Sequence, residues 1–203
     1  MGQKAEYKSA ARSRRLLREA YVQLMAEKPP ERITVTDIVG RAGLNRGTFY
    51  AHYKNPAALR GQMEDELVER LFGLLNKVSY EQLLRNPLPL FLDLARFLER
   101  DREQYRQLVL SRESGPFLRQ VRELFIQRLM RDGMGLPPGD REALAVQIRF
   151  GAGGIISIIQ DWFEGRTDRS LEEMLRMLTP SVVGGMAQFL PDGQGKGTKG
   201  ERL

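Results

Sequence analysis

Polar side chains between residues 46 and 52 are the groups in this chain best suited to hydrogen bonding with a polyanion. Arg46 is a long cation that can reach a phosphate or a guanine edge. Tyr50 and His52 offer a hydroxyl and a ring N–H, which are common donors to phosphate oxygens. Gly47 and Thr48 have little bulk, so the backbone that carries them can approach a ligand closely. This set predicts recognition of nucleic acid rather than a chemical reaction.

Catalysis finds few candidate residues. The chain has no Cys, and its single His is His52, so Cys–His and Ser–His–Asp arrangements lack free members and a thiolate metal site is excluded. Asp161 and Glu164 lie one helical turn apart and could hold a metal or move a proton, but paired acids on a helix are usually a solvated face. We expect no enzymatic activity, no metal and no cofactor.

Residues 36–42, which come just before these hydrogen-bond donors, predict a short helix. Thr36 is a candidate N-cap, with Asp37 in the first turn near the positive end of the helix dipole. The inward face of this helix is predicted to consist of Ile38, Val39 and Ala42.

A tight turn and a second helix come next. Gly43 suits the left-handed conformation that ends a helix, Leu44 fills the space between the helices, and Asn45 is a second N-cap. The second helix is predicted from Arg46 to Tyr53. A helix, a turn containing Gly and a helix are the arrangement that places a recognition helix in the DNA major groove.

The two faces of the second helix are predicted to differ. Phe49 and Tyr53 are four residues apart and share one face, which we expect to pack inward. Tyr50 and His52 point elsewhere and are expected to contact DNA. The alternative is that the whole aromatic group is the core of a small helical bundle, although such a core would not need the Gly-Leu-Asn turn.

The run from Ala42 to Tyr53, AGLNRGTFYAHY, resembles the DNA-binding signature of TetR-type transcriptional regulators. The similarity extends upstream through Thr34, Thr36 and Ile38 and downstream to Leu59. The resemblance implies an all-α fold with an N-terminal three-helix helix-turn-helix domain and a larger C-terminal helical domain for dimerisation and ligand binding.

The chain departs from this pattern at Pro56-Ala57, where the family usually has Lys-Glu. That Lys commonly helps to hold a phosphate, and Lys54 could take its place. The residues predicted to contact DNA are Thr34, Thr36, Arg46, Gly47, Thr48, Tyr50, His52 and Lys54.

The positive charge of the chain is concentrated in the same region. Residues 1–60 hold 12 Lys and Arg against 5 acids, whereas the remaining residues hold 20 against 21. A basic excess confined to one segment is typical of phosphate binding. The first helix interleaves Arg12, Arg14, Arg15 and Arg18 with apolar residues, and we expect at least one of these Arg side chains to touch DNA, although a solvated helix face would look the same.

Periodic apolar residues predict helices throughout the rest of the chain, about nine in total. One is predicted from Arg141 to Glu164 and the last from Leu171 to Leu190, interrupted by Pro180. We divide the chain into a DNA-binding domain over residues 1–60, a regulatory and dimerisation domain over 61–190 and a disordered tail over 191–203, which has no apolar content to bury.

Small residues inside the last two helices predict a close helix–helix contact. Gly153 and Gly154 each cost about 1 kcal/mol against Ala in a helix, which is reasonable if another helix must approach. Gly153-Gly154-Ile155 followed by the residues from Asp161 to Gly165 also resembles one C-terminal subtype of TetR-type regulators. We assign a homodimer interface, with intrachain packing as the alternative, to Gly153, Gly154, Ile155, Ile159, Met177 and Gly184.

A small-molecule effector site is implied by the resemblance. The candidate lining residues, which would equally suit an ordinary helical core, are Phe91, Tyr105, Phe125, Phe150 and Trp162. No secretion signal is seen at the N-terminus, and the apolar run of residues 151–159 is too short to span a bilayer, so we expect a soluble cytoplasmic protein with no membrane partner.

The sequence therefore predicts a regulator that binds a palindromic DNA operator as a homodimer, most simply a ligand-responsive repressor. Open alternatives are an activator or a regulator that responds to a protein partner, a nucleoid-type DNA binder without sequence preference, and an enzyme that carries a helix-turn-helix.

Overall fold

A computed structural model of the chain describes residues 2–112, 114–132 and 137–189. No strand occurs in these residues, so the all-α prediction is confirmed. The helices are α1 (Gly2–Glu27), α2 (Val35–Ala42), α3 (Arg46–Tyr50), α4 (Pro56–Leu75), α5 (Tyr80–Arg85), α6 (Leu88–Arg100), α7 (Arg102–Leu110), α8 (Ser114–Asp132), α9 (Pro138–Glu164) and α10 (Leu171–Met186).

The described residues contain ten α-helices where nine were predicted. The additional one is α5, a helix of six residues that Ser79 opens through a capping box with Gln82. Its single turn and a half is too short to show an apolar period, but Ser79 followed three residues later by Gln82 is a start signal that the sequence already contained.

One apolar core runs through both halves of the chain. Leu17 and Tyr21 of α1, Phe49 of α3 and Leu171 of α10 belong to the same buried cluster. Helix α4 crosses the division predicted at residue 60, since Leu59 before it and Met63 and Leu67 after it belong to the same buried cluster. The domain boundary therefore stays a prediction.

Arg60 fixes α4 to the C-terminal helices. Its side chain is buried, and its Nε donates to Glu64 Oε1 at 2.7 Å while an Nη donates to Ser111 Oγ at 3.0 Å. Ser111 directly follows α7. The helix that leaves the N-terminal helices is thus tied to the end of α7 by hydrogen bonds in a protected site.

The two last helices differ from the prediction, one in where it begins and the other in its continuity. Helix α9 begins at Pro138 instead of Arg141, because Pro is well suited to the first position of a helix. Helix α10 continues through Pro180 without a break, although Pro removes one backbone hydrogen bond. The tail predicted over residues 191–203 lies outside the described residues.

Helix α9 is long and apolar enough to cross a membrane by length and composition alone, so the expectation that this region is too short does not hold for the whole helix. Core helices of soluble proteins have the same composition, and α9 packs against α7, α8 and α10. Only 17% of its most apolar window is buried within the chain, which leaves apolar surface uncovered.

Candidate nucleic-acid interface and regulatory half

Helix α2 is capped by Thr34, so the assignment of the cap to Thr36 was wrong. Thr34 Oγ1 accepts from the Asp37 backbone N–H at 3.2 Å, and Asp37 Oδ2 accepts from the Thr34 N–H at 2.8 Å. Lys28 Nζ lies 2.7 Å from the same carboxylate. The Lys28 ammonium, assisted by the hydrogen bonds that the Thr34 N–H and the Thr34 hydroxyl donate to the carboxylate, holds the pKa of Asp37 far below its ordinary value.

The turn has the predicted conformation. Gly43 ends α2 with φ of 65°, and Asn45 caps α3 by accepting from the Thr48 N–H at 2.7 Å. Gly47 has a structural role in this turn, because a Cβ at that position would lie 3.2 Å from Asn45 Oδ1. The small residue at 47 therefore leaves room for the cap as well as for an approaching ligand.

The inward face of the recognition helix and the exposure of Tyr50 are as predicted. Phe49 and Tyr53 are buried, whereas Tyr50 is 59% exposed. The α-helix itself ends at Tyr50 and not at Tyr53, but backbone hydrogen bonds from the N–H groups of residues 51 to 53 continue the turn. The inward residues of α2 also behave as expected, since Ile38 and Val39 are buried.

Arg46 and Thr36 meet across the turn. An Nη of Arg46 donates to Thr36 Oγ1 at 2.7 Å, and both side chains are exposed. Thr48 is half-buried, with its hydroxyl donating to Asn45 Oδ1 at 3.1 Å. Thr36 therefore orients the cation at the start of the recognition helix.

His52 is half-buried against α1, and its Nε2 lies 2.7 Å from Ser13 Oγ. Burial, assisted by the positive charge of Arg14, lowers the pKa of His52 below its ordinary value. The neutral form of the imidazole is therefore favoured, and one ring nitrogen already has a protein partner. A phosphate contact from this side chain would have to use the other nitrogen.

The basic residues of α1 differ in availability. Arg18 pairs with Glu66 on α4 and is mostly covered, so it braces the two helices. Arg12 and Arg14 are exposed, and Arg15 is exposed with a long contact of 3.4 Å to Glu19. Lys54 is also exposed, just after the recognition helix.

The predicted dimer residues divide into two groups. A Cβ added at Gly153, Gly154 or Gly184 would meet no atom within 4 Å, so no helix of the same chain approaches them. Met177 is 64% exposed. In contrast, Ile155 and Ile159 are half-buried, pack against the chain's own core and line a cavity, which is the intrachain packing given as the alternative. Their place in a dimer interface stays a prediction.

Two further apolar side chains, missed by the sequence analysis of the dimer face, belong to the outer surface of α9. Val146 is 60% exposed and Phe150 is 76% exposed. With Gly153 they follow the spacing of one helix face. Phe150 was predicted to line a ligand pocket, which its exposure contradicts.

A cavity of about 110 Å³ lies between α4, α6, α8 and α9. Phe91 and Phe125 line it as predicted. Tyr105 does not, because it is buried beside Arg70 and Asp101, and neither does Trp162, which packs on Phe163 with the guanidinium of Arg102 over its ring at 4.6 Å.

Within the described residues no group of three His, Asp or Glu side chains is placed to hold a metal. The pair Asp161 and Glu164 contacts Arg166, which lies 2.8 Å from the Asp161 carboxylate. These acids therefore have a structural partner at the end of α9.

Two family models match the chain. Residues 17–63 match the model described as bacterial regulatory proteins, tetR family, and residues 85–183 match the one described as transcriptional regulator C-terminal region. No curated protein matches the sequence.

Solved structures with a similar fold include one described as a repressor, one as a regulator and one as an activator. NalD, the secondary repressor of the MexAB-OprM multidrug efflux pump in Pseudomonas aeruginosa, has a TM-score of 0.63 and 18% identity over 88% of this chain and 98% of its own. The fatty acid degradation regulator FadR from Bacillus halodurans has a TM-score of 0.61 and 15% identity over 86% and 96%. The dihydroxyacetone kinase operon activator DhaS has a TM-score of 0.58 and 20% identity over 87% and 97%.

Proposed function

Because the chain belongs to the TetR family of bacterial transcriptional regulators, we propose that it is a homodimeric repressor that releases a palindromic operator when an effector binds its C-terminal half. The observation that supports DNA contact most directly is the division of α3 into a buried face at Phe49 and an exposed face at Tyr50. A helix that is anchored to the protein core on one side and exposed on the other can enter the major groove without disturbing the protein core.

The proposed DNA-contacting surface is formed by the exposed residues of α2, α3 and the segment that follows. Arg46, oriented by Thr36, reads a base edge or a phosphate. Tyr50 and Lys54 donate to phosphates, while Gly47 lets the backbone come close. His52 contributes as a neutral donor and as a brace to α1 through Ser13.

The dimer is proposed to form through the outer faces of α9 and α10. Val146, Phe150 and Met177 are large apolar side chains with more than half of their surface exposed, and Gly153 and Gly184 lie beside them with open space above. A second copy that covers this surface would gain about 25 cal/mol of stabilisation for each Å² of apolar surface removed from water. The two recognition helices would then address half-sites about 34–36 Å apart, or a multiple of that distance.

The effector is proposed to act through α4. This helix contributes Val68, Leu71 and Leu75 to the cavity. At its other end it carries Leu59, which belongs to the same buried cluster as Phe49 of the recognition helix. A ligand that binds better to an arrangement of α4 incompatible with the operator would shift the population and release DNA.

Regulators with this fold either repress or activate transcription. The fold is shared by an operon activator and by a repressor, so it supports either outcome. Activation, or response to a protein partner, therefore remains the second candidate. The predicted location is the cytoplasm, where the DNA is, and no reaction is proposed.

The experiment that tests this function is a binding titration on the full chain with two duplexes of equal length. One duplex carries the region upstream of the protein's own gene, and the other carries a shuffled sequence. We expect the upstream duplex to bind at least about 10³-fold more tightly near physiological salt, with affinity falling steeply as salt increases. Equal affinity for both duplexes would support a nucleoid-type binder and contradict the regulator.

A further inference from the structure

The cavity between α4, α6, α8 and α9 has a lining of unusual chemical uniformity. Among the described residues that line it, every side chain is aliphatic or a phenyl ring except that of Arg122 on α8. A ligand with several hydroxyl or amide groups would leave them without partners in this lining, at a cost of about 5- to 150-fold in affinity for each group. Sugars and nucleosides are therefore poor candidates.

A smaller cavity of about 30 Å³ adjoins the larger one. Phe91, Phe125, Ala152 and Ile155 line both cavities, so the two spaces are separated only by apolar side chains. Rotation of a phenyl ring would join them into one elongated apolar space. An elongated space of this kind matches a flexible chain better than a compact ring system.

Arg122 gives the cavity a charge preference. Its side chain is 41% exposed, and its contact with Glu123, the next residue along the helix, is a long 3.9 Å. A guanidinium has five N–H donors, so a contact of this length leaves most of them available to an incoming group. A carboxylate or a phosphate would form charge-assisted hydrogen bonds with these donors, whereas an amine would be repelled.

From this lining we propose that the effector is an amphiphile with an aliphatic chain in the joined cavities and a single anionic head group at Arg122. The proposal rests on the proposed function, since it names the ligand class of the regulatory site. Each additional methylene should tighten binding about fourfold until the apolar space is filled.

The test measures binding of octanoate, octyl phosphate, 1-octanol and octylamine to the full-length wild-type protein by calorimetry. We expect the tighter of the two anions to bind about 10- to 100-fold more tightly than 1-octanol, the gain of a charged hydrogen bond, and octylamine to bind most weakly. The comparison of carboxylate with phosphate identifies the head group.

Two variants and one control variant locate the site. Arg122→Met should reduce the preference for the anion over 1-octanol to less than about twofold, while Arg131→Met should preserve it, because Arg131 is exposed on α8 and nine residues away, on the opposite face. Leu94→Phe, which fills the larger cavity, should weaken the anion and the alcohol alike. Leu94 is half-buried, so the larger side chain has room to be accommodated in a folded protein.

Equal affinity of anions and 1-octanol in the wild type, an anion preference that survives Arg122→Met, or the absence of binding by all four ligands would overturn the proposal. Operator affinity without ligand is measured in the same series. Tight operator binding together with any of these results contradicts only the effector class, whereas loss of operator binding in the wild type contradicts the proposed function itself.

Discussion

A guanidinium N–H of Arg46 donates a 2.7 Å hydrogen bond to the hydroxyl of Thr36, and this contact joins the first turn of the recognition helix to the helix before it. Both residues are exposed and neither belongs to the core. The contact therefore limits where the Arg46 cation can point while adding little to stability. Its main effect should be on DNA recognition.

Thr36→Val removes the acceptor and keeps the shape of the side chain. We expect operator affinity to fall by about fivefold to tenfold, the value of one hydrogen bond, with the free energy of unfolding changed by less than about 0.5 kcal/mol. Fluorescence anisotropy and urea unfolding measure the two quantities. Thr34→Ala is the comparison for stability alone, because Thr34 caps α2 and loss of that N-cap should lower the free energy of unfolding by about 1 kcal/mol.

The neighbouring aromatic residues Phe49 and Tyr50 should separate stability from binding. Phe49→Ala should cost about 3–5 kcal/mol of unfolding free energy, because the ring is fully buried. Tyr50→Phe removes only an exposed hydroxyl, so it should leave the melting temperature nearly unchanged and weaken binding to operator and random duplex by the same factor. Equal losses of melting temperature in the two variants would show that the assigned faces are wrong.

These faces could be predicted because α3 is short and sits between two strong boundary signals. Gly43 and Asn45 fix where the helix starts, and the spacing of Phe49 and Tyr53 then fixes its inward side. The cap of α2 was misplaced although the pattern was available, since Thr34 precedes Asp37 by the three residues of a capping box. The sequence thus contained the local start signals, including the one that was missed.

The outer and inner faces of α9 could not be separated in the same way. Apolar residues surround much of this helix, among them Ile148, Phe150 and Ile155, so periodicity alone does not show which side meets the chain's own core. That choice depends on where α8 and α10 pack. Phe150 was consequently assigned to a pocket and is exposed, while Ile155 was assigned to the dimer interface and lines the cavity within one chain.

His52 offers a direct probe of DNA contact, since it is the single His in the chain. Its pKa in the free protein should lie below the ordinary 6.5, because burial and Arg14 both disfavour the charged form. Folding therefore favours the neutral ring. The contribution of His52 to the free energy of unfolding is complete above about pH 7 and decreases as pH falls toward the pKa of the folded state. An NMR titration of the single imidazole measures this value.

Operator binding should raise the pKa of His52 if a phosphate lies beside the ring, because a nearby negative charge stabilises the protonated form. Arg14→Gln should also raise it in the free protein. An imidazole pKa that is the same in the free protein and in the operator complex would remove His52 from the DNA-contacting surface and leave it as a brace to Ser13.

Asp37 should make the stability of the N-terminal helices depend on pH in the acidic range. Lys28 and Thr34 hold its pKa well below the ordinary value of 3.8, so the stabilisation is complete at neutral pH and is lost as pH falls below about 4. Asp37→Asn should be less stable than the wild type at pH 7, and the difference should shrink as the wild-type carboxylate is protonated. Urea unfolding at several pH values measures the difference, and one that does not change with pH would contradict the assignment.

The dimer can be tested at Gly153 by a substitution whose effects on the monomer and on the dimer have opposite signs. Within one chain a Cβ at Gly153 meets no atom within 4 Å, and replacing a helical Gly by Leu favours the helix by up to about 1 kcal/mol. Gly153→Leu should therefore preserve or raise the stability of the monomer. In the dimer the same side chain would occupy the space that the partner's helix needs, so the variant should be monomeric by light scattering and should lose tight operator binding.

Gly73→Leu on α4 is the matched control, because it makes the same substitution at a helical Gly that also has open space around it, away from α9 and α10. It should remain dimeric and bind the operator. Gly185→Ala provides an intrachain comparison, since its Cβ would lie 2.9 Å from Oε1 of Gln147 on α9 of the same chain. The end of this flexible side chain can move aside, so the variant should keep or slightly gain stability and should remain dimeric. A wild-type protein that scatters as a 23.2 kDa monomer at micromolar concentration and still binds a palindrome tightly would show that Gly153 and Gly184 do not face a second copy.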